Sequence, residues 1–367
     1  MKCGVLTFHK TTNYGAVLQA YALMRTIENL KDIDCEIIDY RCEAVEQRYK
    51  ILRKYDTIKD AVKALLCAVP NFKLKRKFSI FLKKYCNLST PIVPKELLEK
   101  SNDYDAIIVG SDQIWNPKIT GNDKNYFLPF HTSCKKIAYA ASFGSFDDEK
   151  QIRYYFEKDI SDFTAISLRE MDVVKYLDHT EIYDIQQVLD PTFLMNRNEW
   201  KKIFIKDRLV KEKYILVYKM MDAEGLFDFA RKLGKEKGLS IIYLTHSAKR
   251  ERGMKNIFTA SPEEFLNYLY YAEVVVTSSF HGTALSINLN KEFYYALDRK
   301  NLTANRRIES LVTLLSLQNR NILCQENGKT NINWIAINQK LDEQRGRSKE
   351  FLRKAIEERS HGNASAN

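Results

Sequence analysis

Residues 277–295 read TSSFHGTALSINLNKEFYY and follow the apolar run Val274-Val275-Val276. A buried strand therefore runs into a turn and then a helix, with His281 and Gly282 at the turn. Doubly wound α/β sheets bind ligands at such places, beyond the carboxyl ends of strands and against helix N-termini. The partial positive charge of the helix end favours neutral imidazole until an anion arrives, which makes His281 a candidate general acid that switches on with its substrate. A histidine that only caps the turn is the alternative.

The rest of the chain repeats this alternation. Apolar runs at 3–8, 35–40, 104–110, 136–142, 165–168, 214–220, 239–245 and 272–278 are bounded by Gly, Ser or Asp, with helical stretches between them. Several are apolar at nearly every position, as strands covered on both faces must be. The spacing predicts parallel strands with crossover helices, an α/β fold. Asp190-Pro191 interrupts the series and new strands start at Tyr214, which divides the chain into an N-terminal domain over 1–197, a C-terminal domain over 198–335 and a helix with a frayed tail over 336–367. That helix either ends the second domain or returns to brace the first. With 367 residues, 45% of them hydrophobic, the chain can fill two cores and leave a cleft between them.

Lys and Arg outnumber Asp and Glu by 58 to 47, giving a net charge of +11 and a pI near 9.1. This favours an anionic partner without choosing its kind. The basic residues form no nucleic-acid-binding module, so nucleic acid is not an expected partner. Seven scattered cysteines without C-x-x-C spacing point away from zinc and disulfides and toward a reducing cytoplasm. The opening MKCGVLTFHK lacks the apolar run of a signal peptide, and nothing approaches the roughly 18 apolar residues of a membrane span.

Residues 41–100 read as a basic helical insertion. Within NFKLKRKFSIFLKKYCNL, Phe78, Phe81, Leu82 and Tyr85 share one helical face and six cations crowd the remainder. Such a helix suits a membrane interface, so peripheral membrane contact through residues 72–85 is a secondary expectation. A helix packed on the protein with a solvated basic face is the other reading.

Five loops at expected strand ends hold the candidate site residues. Asn13, Tyr14 and Gly15 lead into a helix whose first amides suit an anion or a sugar hydroxyl, although capping explains Asn13 and Gly15 equally well. VGSDQIWNP sets Asp112 and Gln113 beside Trp115, an arrangement fit for a saccharide unless the indole is buried. Ser142 and Gly144 end a strand, in position to line the same cleft or to form a plain turn. Arg169 can hold a carboxylate or phosphate through two parallel hydrogen bonds, or form a surface pair with Glu170. Ser279, His281, Gly282 and Thr283 make up the fifth loop. There is no G-x-S-x-G, H-E-x-x-H, Walker or dinucleotide glycine motif.

Taken together, LTFHKTTNYGAVLQAYAL, YDAIIVGSDQIWNP, AISLRE, VLDPTFL and SSFHGTALSINLNKEF resemble the polysaccharide pyruvyl transferase family from residue 3 to about residue 320. The resemblance implies a GT-B-like fold, two Rossmann-like domains with mainly parallel sheets facing a cleft. It implies transfer of pyruvate from phosphoenolpyruvate to a pair of sugar hydroxyls as a cyclic ketal, in bacterial polysaccharide or exopolysaccharide synthesis. No cofactor or metal is expected. The acceptor is a saccharide, lipid-linked or carried on a nucleotide. On this reading His281 and Arg169 are catalytic, and Ser279, Gly282 and Thr283 bind the donor. Asn13, Tyr14, Gly15, Asp112, Gln113 and Ser142 face the acceptor. One departure stands out: the family's arginine-leucine-histidine is here Ser279-Phe280-His281. Lys219, Arg306 and Arg307 are the candidates to replace the missing cation. A glycosyltransferase using a nucleotide sugar and a non-catalytic glycan or phosphosugar binder are the competing functions.

Overall fold

The apolar runs form two sheets. The structure, a computed structural model, describes residues 1–49, 58–176, 185–204, 207–245, 250–327 and 331–357; the expected tail at 361–367 lies outside them. Strands β1 Lys2–Leu6, β2 Asp34–Ile37, β3 Ala106–Val109, β4 Lys135–Ala141, β5 Ala165–Leu168 and β6 Gln186–Gln187 form one sheet in the order β2-β1-β3-β4-β5-β6. Strands β7 Tyr214–Tyr218, β8 Ser240–Leu244, β9 Lys255–Ile257, β10 Val274–Thr277 and β11 Phe293–Tyr295 form the other in the order β11-β10-β7-β8-β9. Every pairing between these strands is parallel. β3 and β7 are buried at every residue, as continuous apolar runs require. All the runs read from the sequence appear as strands; β6, β9 and β11 are additional, and each lies at a sheet edge.

The long helices are α1 Tyr14–Glu28, α2 Ile58–Tyr85, α3 Leu226–Lys237, α4 Pro262–Tyr271, α5 Phe280–Asn288, α6 Leu302–Leu314 and α7 Trp334–Glu357. Strand order reverses between β1 and β3 in the first sheet and between β7 and β10 in the second. Ligand crevices in such sheets open at these switch points. The two face each other, because α1 leaves β1 and packs against α4 and α5 of the second lobe. The Tyr14 ring stacks on Phe265 with centroids 4.4 Å apart, and its hydroxyl donates to the Ala260 carbonyl at 2.9 Å. Buried against both lobes, α1 is apolar around most of its circumference. This makes it the axle of the molecule.

The C-terminal helix α7 returns to the first lobe. Leu189 N donates to Ser348 Oγ at 3.0 Å, Arg345 Nε donates to the Phe193 carbonyl at 2.6 Å, and Phe351 packs against Tyr139. The second of the two expectations for this helix therefore holds.

The structure bears on two other expectations. The apolar face of α2 meant for a membrane is core: Phe78, Phe81 and Leu82 are buried, with Phe78 against Tyr14 and Phe81 against Tyr21. Lys77 and Lys84 pair with Glu264 and Glu263 of α4. Trp115 is also core, fully buried with Nε1 donating to the Tyr126 carbonyl at 3.0 Å, so it offers no platform to a sugar. Among the described residues no helix is long and apolar enough to cross a membrane. Burial pushes the thiols of Cys3 and Cys86 up to about 12, which makes them inert packing residues.

On the cleft's outer side Arg306 of α6 ties the lobes together, donating to Asp147 at 3.0 and 2.6 Å and pairing with Asp172 at 2.8 Å. The Arg306 hydrogen bond holds the Asp147 carboxyl down at about 2, against a modest opposing effect of burial. A depressed carboxylate adds stability above its unfolded pKa and loses it as pH falls through the folded one. Arg306→Ala should therefore cost about 1 kcal/mol or less at neutral pH, and urea melts of the two proteins should converge as pH falls from about 4 to about 2.

Candidate functional site

The four loops at the two switch points converge on a cleft of about 270 Å³. The first lobe contributes Phe8, Asn13, Tyr49, Asp112 and Gln113; the second contributes Met220, Ser279, Phe280, His281 and Arg307.

Asn13 is the N-cap of α1, its side chain accepting from Gly15 N and Ala16 N. The loop before it is anchored from below. His9 Nε2 lies 2.9 Å from Asp39 Oδ1 and His9 Nδ1 lies 3.2 Å from the Thr7 carbonyl, while Arg41 donates to Asp39 from the far side at 2.9 Å. Burial works against the Asp39 charge, but the hydrogen bond and charge of His9, with Arg41, hold the carboxyl below its ordinary value.

His281 stands in the first turn of α5, capped by Ser279, whose Oγ accepts from Gly282 N at 3.2 Å. Its ring rests directly on α1: a Cβ built on Gly15 would lie 2.0 Å from His281 Nδ1. Only glycine allows that contact. The imidazole thus sits against the positive ends of two helices, its own and that of the other lobe.

Beneath His281 lies Asp190, fully buried in the segment that joins the lobes. Its Oδ1 accepts from Thr192 N at 2.9 Å and Thr192 Oγ1 at 2.7 Å. Its Oδ2 accepts from Arg169 Nη1 at 2.9 Å and Ser111 Oγ at 3.4 Å, and faces His281 Nε2 at 3.5 Å. Burial raises the Asp190 pKa, but His281 and Arg169 outweigh it and hold the carboxyl well below the usual range. Arg169 also contacts Glu170 at 3.4 Å, and Glu170 in turn accepts from Ser142 Oγ. Burial would lower the Arg169 pKa; Glu170 and Asp190 reverse that and keep the guanidinium charged.

The Phe280 ring carries two cations, Arg169 with its guanidinium carbon 4.8 Å from the ring centroid and Arg307 at 5.8 Å. Arg307 comes from α6 and is half-buried, its side chain 14% exposed. Burial, then the neighbouring Arg169, press its pKa down. Among the described residues Asp112 is the carboxylate within 4.0 Å of both, 3.9 Å from Arg169 Nη2 and 4.0 Å from Arg307 Nη1, beyond hydrogen-bond reach in each case. Its backbone is left-handed at φ 68, a conformation uncommon away from glycine and frequent at functional sites.

Three buried nitrogens here have no hydrogen-bond partner: Arg169 Nη2, Arg307 Nε and His281 Nε2. The two arginine nitrogens are donors only. Such a cluster is rare in a folded interior.

The structure sorts the candidates. His281, Ser279, Asn13, Asp112, Gln113 and Arg307 line the cleft, and Gly15 supports His281. Arg169 lies just behind the cleft wall, beside Phe280 and Arg307, where a smaller cavity of about 50 Å³ opens. Six other candidates are not among the residues that line the cleft. Lys219 pairs with Asp222 and borders a separate surface hollow, and Arg306 is committed to Asp147 and Asp172. The amide of Gly282 is used by the Ser279 cap, and Thr283 Oγ1 donates to the Ser279 carbonyl of its own helix. Tyr14 packs between the lobes, and Ser142 holds Glu170. Of the three replacements considered for the missing arginine, Arg307 alone reaches the cleft. Asp190 and Phe280 were missed as site residues, although Asp190-Pro191 and Ser279-Phe280-His281 were both visible in the sequence.

The model of the family described as polysaccharide pyruvyl transferase matches residues 13–301. The chain belongs to that family. No curated protein matches it. Among solved structures, UDP-GlcNAc 2-epimerase from Methanocaldococcus jannaschii, in complex with UDP-GlcNAc and UDP, is similar at 13% identity, covering 97% of this chain and 99% of its own, with a TM-score of 0.48. The Neisseria meningitidis UDP-GlcNAc 2-epimerase bound to UDP-GlcNAc is 8% identical over 97% and 99% of the two chains, TM-score 0.48. The E. coli heptosyltransferase WaaC with ADP-2-deoxy-2-fluoro heptose is 13% identical over 85% and 99%, TM-score 0.33. The GT-B-like arrangement of this family member rests on its own two parallel sheets and the cleft between their switch points.

Alanine normally stabilises a helix relative to glycine by roughly 1 kcal/mol. At Gly15 the contact with His281 should reverse the sign, so that Gly15→Ala destabilises by about 1–3 kcal/mol. In a His281→Ala background the same substitution should become neutral or stabilising. Urea melts of the four proteins in this cycle measure the difference.

Proposed function

We propose that this protein transfers pyruvate from phosphoenolpyruvate to two neighbouring hydroxyls of a saccharide, forming a cyclic ketal. One observation carries the reading: Arg307 Nε and His281 Nε2, of residues that line the cleft, and Arg169 Nη2 just behind its wall, are buried without hydrogen-bond partners. Phosphoenolpyruvate offers a carboxylate and a phosphate to such donors, and a guanidinium engages either with two parallel hydrogen bonds.

The geometry supports the following roles. His281, when protonated, gives its proton to the methylene carbon, and C2 becomes electrophilic. A sugar hydroxyl adds to C2 while Asp112, not hydrogen-bonded to either guanidinium, takes the hydroxyl proton. The C2–O bond to phosphate breaks with its electron pair leaving on phosphate, toward Arg307, whose charge stabilises it. The second hydroxyl closes the ring at C2, and its proton leaves with the phosphate. Asp190 orients His281 and Arg169 from below without meeting substrate. Asn13 and Gln113, at the first lobe's edge of the cleft, face the acceptor.

Incubation with phosphoenolpyruvate and a panel of glycans should release phosphate and give a ketal detectable by mass; absence of both across a broad panel would refute the reading. His281→Ala should lower kcat by roughly 10²–10⁴-fold with the fold intact. Arg307→Lys should chiefly raise KM for phosphoenolpyruvate, because lysine keeps the charge and loses the fork. Thermal stabilisation by a nucleoside diphosphate and not by phosphoenolpyruvate would instead indicate a glycosyltransferase.

A further inference from the structure

Helix α2 has a second face. Val69, Phe72 and Ile80 are 76%, 63% and 50% exposed, an unusual concentration of apolar surface on one helix. At 100° per residue they share a stripe about 100° wide with the exposed Lys73, Arg76 and Lys83. No Asp or Glu occurs between Asp60 and Glu96, so the stripe has no acidic residue of its own helix to neutralise it. It lies opposite the core face of Phe78, Phe81 and Leu82.

We propose that this stripe docks the protein on an anionic lipid bilayer. A bilayer surface meets both halves of the pattern. Headgroup phosphates neutralise the cations at about 1 kcal/mol each, and the acyl boundary takes up the apolar side chains without needing a shaped pocket. Long Lys and Arg side chains reach up to the headgroups while their stems lie along the apolar region. A second copy of this chain would bring the same cations face to face. Nucleic acid would pair the cations and leave Phe72 and Ile80 in water. The insertion that carries the stripe also supplies Val45 and Tyr49 to the cleft wall, so docking would hold the cleft near the membrane surface. The inference stands independently of the proposed pyruvyl transfer.

The test is co-sedimentation of the full chain with vesicles of phosphatidylcholine alone and of an equal mixture of phosphatidylcholine and phosphatidylglycerol. The mixed vesicles should carry the protein, and added salt should release part of it. Lys73→Glu with Arg76→Glu should weaken binding at least roughly tenfold. Phe72→Ser with Ile80→Ser should also weaken it, with no change in charge. Ile335→Ser, at an exposed apolar position on another helix, is the control and should have no effect. All five positions are exposed, so unchanged melting temperatures should accompany the results. Failure to bind the mixed vesicles overturns the proposal. So does binding that survives both double variants, or binding that depends on the cations alone and is matched by DNA.

Discussion

One buried carboxylate holds this molecule's working parts in place. Taking an ionised Asp out of water costs several kcal/mol, and only close cations and hydrogen bonds repay it. Asp190 obtains these from three separate segments: Ser111 beyond β3, Arg169 beyond β5, and Thr192 beside it; His281 of the second lobe adds a facing imidazole. Because the partners belong to different lobes, meeting the needs of the charge also fixes the lobes' relative position at this point. Removing the charge would strand Arg169 with a buried guanidinium and only Glu170 as a hydrogen-bonded partner. The site's geometry and the lobe interface are therefore one problem with one solution.

The parts of this arrangement that were legible in the sequence are those set by local physics. Fully buried central strands such as AIIV and YILVY announce themselves as unbroken apolar runs, and the turns after them are marked by polar residues. Edge strands do not. β6 is two exposed glutamines and β9 is Lys-Asn-Ile, half solvated and too short for a pattern to emerge. β11, although buried, is three residues long and merges with the helix before it. The site divides the same way. Loops at strand ends were found, but the direction of a side chain within them was not. Arg306 and Arg307 are neighbours in the sequence with identical chemistry, yet successive residues on a helix point about 100° apart. One therefore faces Asp147 and Asp172 while the other faces the cleft.

The same limit explains α2. Periodicity identified its apolar face correctly but could not say what would cover it. The answer lies in α1 and α4, whose Tyr14, Tyr21 and Glu264 are far away in the sequence. A helix with one stripe pressed into the core and a second stripe mixing exposed Val, Phe and Ile with cations satisfies two environments at once. A single hydrophobic count over the segment averages them into ambiguity.

The charge balance at the cleft bears on how an anion enters. The two guanidiniums Arg169 and Arg307 stand against the three carboxylates Asp112, Glu170 and Asp190, which leaves one negative charge in excess among these five groups. At an effective dielectric of 20, two charges 4 Å apart interact by about 4 kcal/mol, so a dianion entering against that balance meets a penalty unless it displaces a carboxylate from the guanidiniums. The carboxylates are not equivalent in this exchange. Asp190 and Glu170 are hydrogen-bonded to Arg169, whereas Asp112 stands at 3.9 and 4.0 Å from the two guanidiniums without bonding either. Of the three, Asp112 is the carboxylate that the proposed chemistry can use without first breaking a hydrogen bond to a guanidinium.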